Sequence, residues 1–263
     1  MDSLQALLLG LLQGLTEFLP VSSSGHLELG SVLFGINGEE NLLFAIIVHG
    51  ATVLSTLIVF WKDIVSLFKG LIAFKWNDET RYICILLLSA IPVGLVGLFF
   101  NEQVETFFGG NVLFVGIMLI VTAILLSFAD CKKTGDKSIG WFDALIIGLS
   151  QAVAVLPGLS RSGTTIATGL LLGKRKDEMA RFSFLMVIVP ILGANFLELL
   201  KYEPQVPAES GIGIMPLLLG FLAAFTSGLF ACKLMINIVK KGRLIYFSVY
   251  CLVIGIIAIF AGW

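Results

Sequence analysis

Apolar residues fill six stretches of this chain, near 42–61, 82–100, 112–129, 180–200, 214–232 and 244–262. About twenty apolar residues in a helix cross roughly 30 Å of hydrocarbon, so each stretch predicts a transmembrane helix. Two further apolar regions, 4–34 and 141–172, are interrupted midway by clusters of Pro, Gly and Ser. The flanking pieces hold about ten residues each, too few to span, and each region predicts a re-entrant helical hairpin. Segment 62–75 reads as an amphipathic helix lying along the cytoplasmic interface.

Charge orders these elements. Lys62, Lys69, Lys75 and Arg81 form one cluster, Lys132, Lys133 and Lys137 a second, Lys174, Arg175, Lys176 and Arg181 a third, and Lys233, Lys240, Lys241 and Arg243 a fourth. Together they hold 15 of the 17 basic residues, whereas the loops 35–41, 101–111 and 201–213 carry only Lys201. Basic loops stay on the cytoplasmic side. The hairpin at 141–172 then opens to the cytoplasm, the hairpin at 4–34 opens outward, and both termini lie outside.

The two halves resemble one another. ALLLGLLQ (6–13) aligns with ALIIGLSQ (144–151) at an offset of 138 residues, and the same offset pairs Ser22 with Ser160, Ser24 with Ser162, Gly25 with Gly163 and Gly35 with Gly173. Ten of the thirty positions from 6 to 35 are identical. One hairpin and three spans per half invert the second copy, an arrangement that places a site at the midplane between broken helices. The expected fold is therefore an all-α integral membrane protein, six transmembrane helices plus two re-entrant hairpins in an inverted-topology repeat. It is read as a single membrane domain over 1–263, with repeats over 1–130 and 139–263.

Composition agrees. The chain is 57% hydrophobic and 13% charged, with a mean hydropathy of +0.99, well beyond a soluble domain. A formal net charge of -1 gives no basic face for nucleic acid. Cys84, Cys131, Cys232 and Cys251 lack CxxC spacing and read as packing residues. Nothing after Met1-Asp2-Ser3 reads as a secretory signal. GLLQG (10–14) and GLLLG (169–173) fit close helix packing in lipid, and GLLLGKR lacks the glycine spacing and the hydroxyl residue of a P-loop.

The chemistry concentrates in the two hairpin loops, LPVSSSGH and LPGLSRSGTT. A helix beginning after Ser24 or Ser162 leaves its first N–H groups free for an anion. The hydroxyls of Ser22, Ser24, Ser160, Ser162, Thr164 and Thr165, with the close backbone approach allowed by Gly25 and Gly163, complete a candidate oxyanion cradle. Arg161, the one basic residue in either hairpin, has the fork geometry that suits phosphate oxygens, or else pairs with Glu17 or Glu28. Glu17 lies one turn after Gln13 on the same face and is a candidate divalent-cation ligand or general base, or a partner for Arg161. Glu28 is expected to be solvated. His26 is a candidate proton donor or a structural hydrogen-bonding group, His49 reads as a satisfied interior residue, and Ser22 and Ser23 are candidate nucleophiles or partners for backbone groups.

QGLTEFLPVSSSGH (13–26) and LPGLSRSGTT (156–165) closely resemble the two signature motifs of the bacterial undecaprenyl-pyrophosphate phosphatases of the bacitracin-resistance type. The resemblance covers the whole chain in length, motif separation and span layout. It implies a hydrolase of the bacterial plasma membrane that releases phosphate from undecaprenyl pyrophosphate and recycles the carrier lipid for cell-wall synthesis; independently of it, the hairpin with Glu17 and His26, read above as opening outward, suits a pyrophosphate left on the outer leaflet. The family's (Glu or Gln)-x-x-x-Glu motif falls on Gln13 and Glu17, here in the Gln form, its Ser and His positions on Ser22, Ser23 and His26, and its Ser-Arg and Thr positions on Ser160, Arg161 and Thr165. It also implies a divalent cation, Mg²⁺ or Ca²⁺, with Glu17 as its ligand. In this reading Arg161, the serine loops and the helix starts hold the pyrophosphate, Glu17 assists attack by Ser23 or water, and His26 protonates the leaving group; a phosphohistidine at His26 is a third route. Expected partners are the polyprenyl pyrophosphate and the bilayer, and the oligomeric state, homodimer included, is left open. The rival reading is a flippase for polyprenyl phosphate or another anion transporter, because broken helices in inverted repeats are transporter architecture.

Overall fold

Helix boundaries follow the caps the sequence supplies. A computed structural model describes residues 1–36, 38–100, 103–104, 106–107, 111–132, 135–193, 212–241 and 243–262, with the side chains of 38–42 excluded. Asp2 caps α1 (Ser3–Phe18) by accepting from the Gln5 N–H, while the Gln5 side chain returns to the Asp2 N–H. Pro20 then ends the apolar run, and Ser22 caps α2 (Ser23–Phe34) through the Gly25 N–H. The second hairpin repeats this plan: α7 (Trp141–Val153) stops before the Pro157 loop, and Ser160 caps α8 (Arg161–Leu171) through the Gly163 N–H. Both broken helices expected from the sequence are present.

Between and after them run α3 (Gly38–Val59), α4 (Trp61–Ile72), α5 (Asp78–Phe99), α6 (Val112–Cys131), α9 (Lys176–Met186), α10 (Ile214–Lys241) and α11 (Ile245–Ala261). The described residues hold helices and no strand, only one isolated bridge between Lys137 and Lys174. α5, α6 and α10 are long and apolar enough to cross a membrane, and the pair Leu43–Val59 and Trp61–Ile72, bent by 71°, counts as a fourth candidate span. Their outward side chains, Leu98, Phe128 and Phe230 among them, are exposed and apolar, as a lipid-facing surface requires. The chain is a multi-pass membrane protein.

Two expected spans differ in detail. α11, at 17 residues, falls short of the length that marks α5, α6 and α10 as candidate spans. The stretch 180–200 does not run as one helix: α9 ends at Met186, Val187 forms a turn, and helical backbone resumes over 188–193, while 194–200 lies outside the described residues. Pro190 supplies the reason, because its nitrogen has no hydrogen for the Met186 carbonyl four residues earlier.

Glycines set the closest helix contacts. On α1, a Cβ at Gly10 would lie 2.4 Å from the Gly220 carbonyl oxygen of α10, and one at Gly14 2.4 Å from that of Ala224. Residue numbers rise together, so α1 and α10 run parallel. α7 lies against α5 in the same sense, with Trp141 stacked on Trp76 and Gly148 against the Ser89 carbonyl. α6 and α11 run antiparallel, joined by Gly116 on Gly255 at one end and by the Ser127 to Ser248 hydroxyl bond (2.7 Å) at the other. The GLLQG seam is thus a helix contact, whereas Gly169 meets the Met179 side chain and Gly173 is a positive-φ turn.

Described residues of, or beside, all four basic clusters gather at one end. Arg181 pairs with Asp63 (2.8 Å), Lys174 with Asp143 (2.6 Å), the Leu244 N–H donates to Asp130, and Arg175, Lys176 and Lys240 line one cavity.

Candidate functional site

The hairpin loops pack tip to tip in a reciprocal way. A Cβ on Gly25 would lie 2.9 Å from Gly158 Cα, and one on Gly163 would lie 3.1 Å from Pro20 Cβ. At the 138-residue offset Pro20 corresponds to Gly158 and Gly25 to Gly163, so each loop makes on the other the contact it receives. The long antiparallel helices support them crosswise. Thr122 of α6 donates to the Gly158 carbonyl (3.2 Å) and accepts from the Ser160 N–H (3.0 Å), while Cys251 of α11 reaches the Pro20 carbonyl (3.6 Å). The starts of α2 and α8 are thereby brought together, and the N–H groups at the first two positions of each, Ser23, Ser24, Arg161 and Ser162, have no intrahelical acceptor.

Glu17, near the end of α1, is the hub. Its side chain is 6% exposed and is met from both hairpins. Gln13 Nε2 donates to Oε2 (2.9 Å) from one turn earlier, Ser23 Oγ donates to the same oxygen (2.5 Å), and Arg161 Nη2 pairs with Oε1. His49 of α3 adds a group the sequence reading left as interior. Its Nδ1 faces the Ala45 carbonyl (2.8 Å), which fixes the hydrogen there, and its Nε2 lies 3.8 Å from Glu17 Oε2.

The remaining predicted residues surround this hub. Ser22 takes a positive φ of 68°, the left-handed region that costs a non-glycine residue of order 1 kcal/mol or more. That turn aims its carbonyl at both the backbone N–H and Nδ1 of His26 (3.1 and 2.8 Å). His26 Nε2 is in turn bonded to the Tyr250 hydroxyl (2.9 Å), so His26 belongs to a separate cluster beside the Glu17 hub. Ser24 lies 3.4 Å from Ser22 Oγ, and Ser160 and Ser162 hydroxyls lie 3.5 Å apart. Ser162 Oγ donates to the Leu19 carbonyl (3.3 Å), crossing between hairpins. Thr165 donates to the Arg161 and Ser162 carbonyls (3.0 and 3.2 Å) and meets Ser183 of α9 (2.7 Å). Thr164 is buried, and its hydroxyl has no hydrogen-bond partner.

Glu28 is a correction. It is buried, 8% exposed, because α2 folds back against α1 and α6. Cys131 is exposed and so is not a packing residue, unlike buried Cys232 and Cys251.

A narrow cavity, open to the outside, reaches the hub. Glu17, Arg161, Ser162, Thr52, Thr56 and Ser183 line its polar side, and Phe18, Phe184, Val187 and Ile191 its apolar side. One small space thus offers polar groups and an apolar wall, as a lipid with a charged head requires. Thr52, Thr56 and Ser183 carry no motif signal; their only sequence mark is a hydroxyl on an apolar helix.

The divalent cation implied by the family resemblance can be tested against these donors. Among the described residues no three of His, Cys, Asp and Glu group closely enough to hold a metal alone. Gln13, fully buried, turns its amide nitrogen to Glu17, and its Oε1 has no hydrogen-bond partner. One carboxylate and one orphaned amide oxygen fit a hard cation that takes its other ligands from water and substrate phosphate.

Comparison with known proteins extends this picture to the full chain. The chain is 58% identical to the undecaprenyl-diphosphatase of Bacteroides fragilis over 260 residues, covering 98% of each protein. It is likewise 58% identical to the undecaprenyl-diphosphatase of Bacteroides thetaiotaomicron over 98% of each, and 39% identical to that of Methanosphaera stadtmanae over 98% of each. The family model described as Bacitracin resistance protein BacA matches residues 6–257, and the chain belongs to that family.

Proposed function

We propose that this protein hydrolyses undecaprenyl pyrophosphate to undecaprenyl phosphate and inorganic phosphate in the bacterial plasma membrane, recycling the carrier lipid for cell-wall synthesis. The observation that carries the reading is the convergence on one buried carboxylate, Glu17, of Ser23 from its own hairpin and Arg161 from the other. The relatives' shared name, undecaprenyl-diphosphatase, favours hydrolysis over transport.

The residues divide the work by position. Arg161 has further N–H donors beyond the one on Glu17, and with the free N–H groups at the starts of α2 and α8 it grips the pyrophosphate oxygens. Ser23 Oγ, whose hydrogen already points at Glu17 Oε2, attacks the terminal phosphorus. As the new O–P bond forms, Glu17 takes the proton and the bridging P–O bond breaks, releasing undecaprenyl phosphate. His26 supplies a proton to that leaving group, and water then frees the phosphate from Ser23. Charge stabilisation and positioning supply most of the rate, as in other phosphoryl transfers. A cation held by Glu17 and Gln13 Oε1 would neutralise charge on the phosphate oxygens. The apolar wall of Phe18, Phe184, Val187 and Ile191 receives the first isoprene units.

The same proposal includes six spans, two re-entrant hairpins and an inverted repeat over 1–130 and 139–263. The reciprocal Gly25–Gly158 and Gly163–Pro20 contacts and the matched parallel pairs α1–α10 and α7–α5 support it. With the basic end cytoplasmic, both termini and the α1–α2 hairpin face outside, where polymer assembly leaves the pyrophosphate. Phosphate release from undecaprenyl pyrophosphate by purified protein tests the reading. Release abolished by a chelator and in Glu17→Gln and Arg161→Ala supports it; folded wild-type protein that releases nothing refutes it.

A further inference from the structure

Tyr250 of α11 is 224 positions from His26 along the chain, yet its hydroxyl lies 2.9 Å from His26 Nε2. The two rings lie side by side, with centroids 5.6 Å apart and planes 11° from parallel. His26 is buried, whereas Tyr250 is partly open to the outside of the helix bundle, so the tyrosine flanks the Nε2 edge of the imidazole. Tyr250 is held firmly for this. The next residue, Cys251, reaches the Pro20 carbonyl of the same loop that carries His26, and Ser248, half a turn earlier, bonds the Ala123 carbonyl (2.7 Å) and Ser127 of α6.

The hydrogen-bond inventory defines what this contact does. The Ser22 carbonyl can only accept, so His26 Nδ1 carries a hydrogen in every protonation state. Nε2 is then the nitrogen through which His26 gains or loses a proton. A hydroxyl suits that nitrogen in both states, donating to the neutral ring and accepting from the protonated one. A carbonyl or an ammonium would serve only one of them.

We propose that Tyr250 is a positioning residue for the reaction: as the protonated Nε2 gives its hydrogen to the oxygen of the leaving lipid phosphate, the Tyr250 hydroxyl turns its own hydrogen to the bared nitrogen, so that the His26 ring stays in place through the transfer. This rests on the role given to His26 in the hydrolysis above.

Phosphate release from undecaprenyl pyrophosphate by the full-length protein in detergent, with kcat and KM determined separately, tests the inference through Tyr250→Phe, His26→Asn and the double variant. Tyr250→Phe keeps the ring and removes only the hydroxyl. It is expected to lower kcat about tenfold, the scale of one lost neutral hydrogen bond, with KM within about twofold, and the double variant is expected to be no slower than His26→Asn alone. Tyr246→Phe, on the same helix and exposed, is the control and is expected to match wild type. An independent readout is the ¹⁵N spectrum of the imidazoles. The chain has two histidines, so a His49→Gln background leaves one signal, whose Nε2 resonance should move when Tyr250 becomes Phe. A Tyr250→Phe enzyme with wild-type kcat beside a slow His26→Asn enzyme overturns the inference and leaves the hydrolysis intact. Additive losses in the double variant overturn it too. A fast His26→Asn enzyme removes the role of His26 itself, and with it that of Tyr250, while phosphate release by the wild type keeps the assigned activity.

Discussion

Removing either half of the Glu17–Arg161 pair should not cost the same. Arg161→Ala leaves the Glu17 carboxylate, 6% exposed, without its counter-charge, and breaking a buried pair in this way costs about 3–5 kcal/mol. The hydrogen bonds from Gln13 and Ser23 remain, which puts the expected cost near the low end, about 3 kcal/mol. Glu17→Gln instead leaves the guanidinium, 29% exposed, with partial access to water, for a cost of about 1 kcal/mol. In the double variant neither charge is buried, so the loss should fall about 2 kcal/mol short of the sum of the two single losses. Thermal unfolding in detergent reads this directly. At about 2–4 °C per kcal/mol for a chain of this size, Arg161→Ala should melt roughly 9 °C below wild type and Glu17→Gln roughly 3 °C below, with the double variant above Arg161→Ala. Equal single losses, a larger loss for Glu17→Gln, or strictly additive losses would refute the burial argument, whatever happens to activity.

Other consequences are more local. Gly10→Ala and Gly148→Ala each push a Cβ to 2.4 Å from a facing carbonyl oxygen, and each should cost about 1–3 kcal/mol in thermal unfolding; a neutral result at either site contradicts the packing described for that seam. Gln13→Glu places a second carboxylate beside Glu17, and should lower the Mg²⁺ concentration needed for half-maximal phosphate release by about tenfold; an unchanged requirement would take Gln13 out of the cation site. Rapid quenching followed by mass spectrometry should find a phosphoserine at Ser23 that Ser23→Ala lacks, whereas attack by water leaves no covalent species. Ser22→Gly relieves the positive φ while losing the bond to the Gly25 N–H, so its stability in thermal unfolding should stay within about 1 kcal/mol of wild type, whereas that of Ser22→Val should fall well below.

Much of the architecture was legible because lipid leaves few options for a backbone. The Pro, Gly and Ser clusters at 19–25 and 156–163 located both helix breaks, and the Gln13–Glu17 spacing placed those side chains together on α1. A lone arginine at membrane depth needs a partner; the sequence offered Glu17 or Glu28 to Arg161 as the alternative to phosphate without choosing between them, and the fold pairs it with Glu17. His49 and Tyr250 were different. Each is a polar residue on a mostly apolar helix, and what it touches depends on how α3 and α11 cross the hairpins, a tertiary fact with no local period. Glu28 was misjudged for the same reason: its distance from the loop says nothing about the way α2 packs back on α1 and α6. The break at Val187 was available in principle, since Pro190 marks it, but hydropathy averaged over a window conceals a missing N–H.

The proposed repeat also accounts for why the site is asymmetric. At the 138-residue offset Glu17 corresponds to Val155, Ser23 to Arg161 and His26 to Thr164, while Ser22, Ser24 and Gly25 meet identical partners. The preserved residues are those that build the scaffold: Ser22 and Ser160 cap helix starts, and Gly25 and Gly163 let the loops touch. The divergent ones carry charge or exchangeable protons. Two identical hairpins would place like groups on either side of the axis, and two facing carboxylates or two facing guanidinium groups at this depth would repel in a medium that screens little. Divergence at those positions lets one hairpin supply the anion and the hydroxyl while the other supplies the cation, so the charges that must meet a phosphate first satisfy one another. On this argument the scaffold tolerates symmetric exchange better than the chemistry does. Val155→Glu would place a second carboxylate at a half-buried position with no basic partner of its own, and is expected to destabilise the fold by about 1–3 kcal/mol; a Val155→Glu protein that melts with wild type would mean that this corresponding position is open to water, and that asymmetry there has no electrostatic cause.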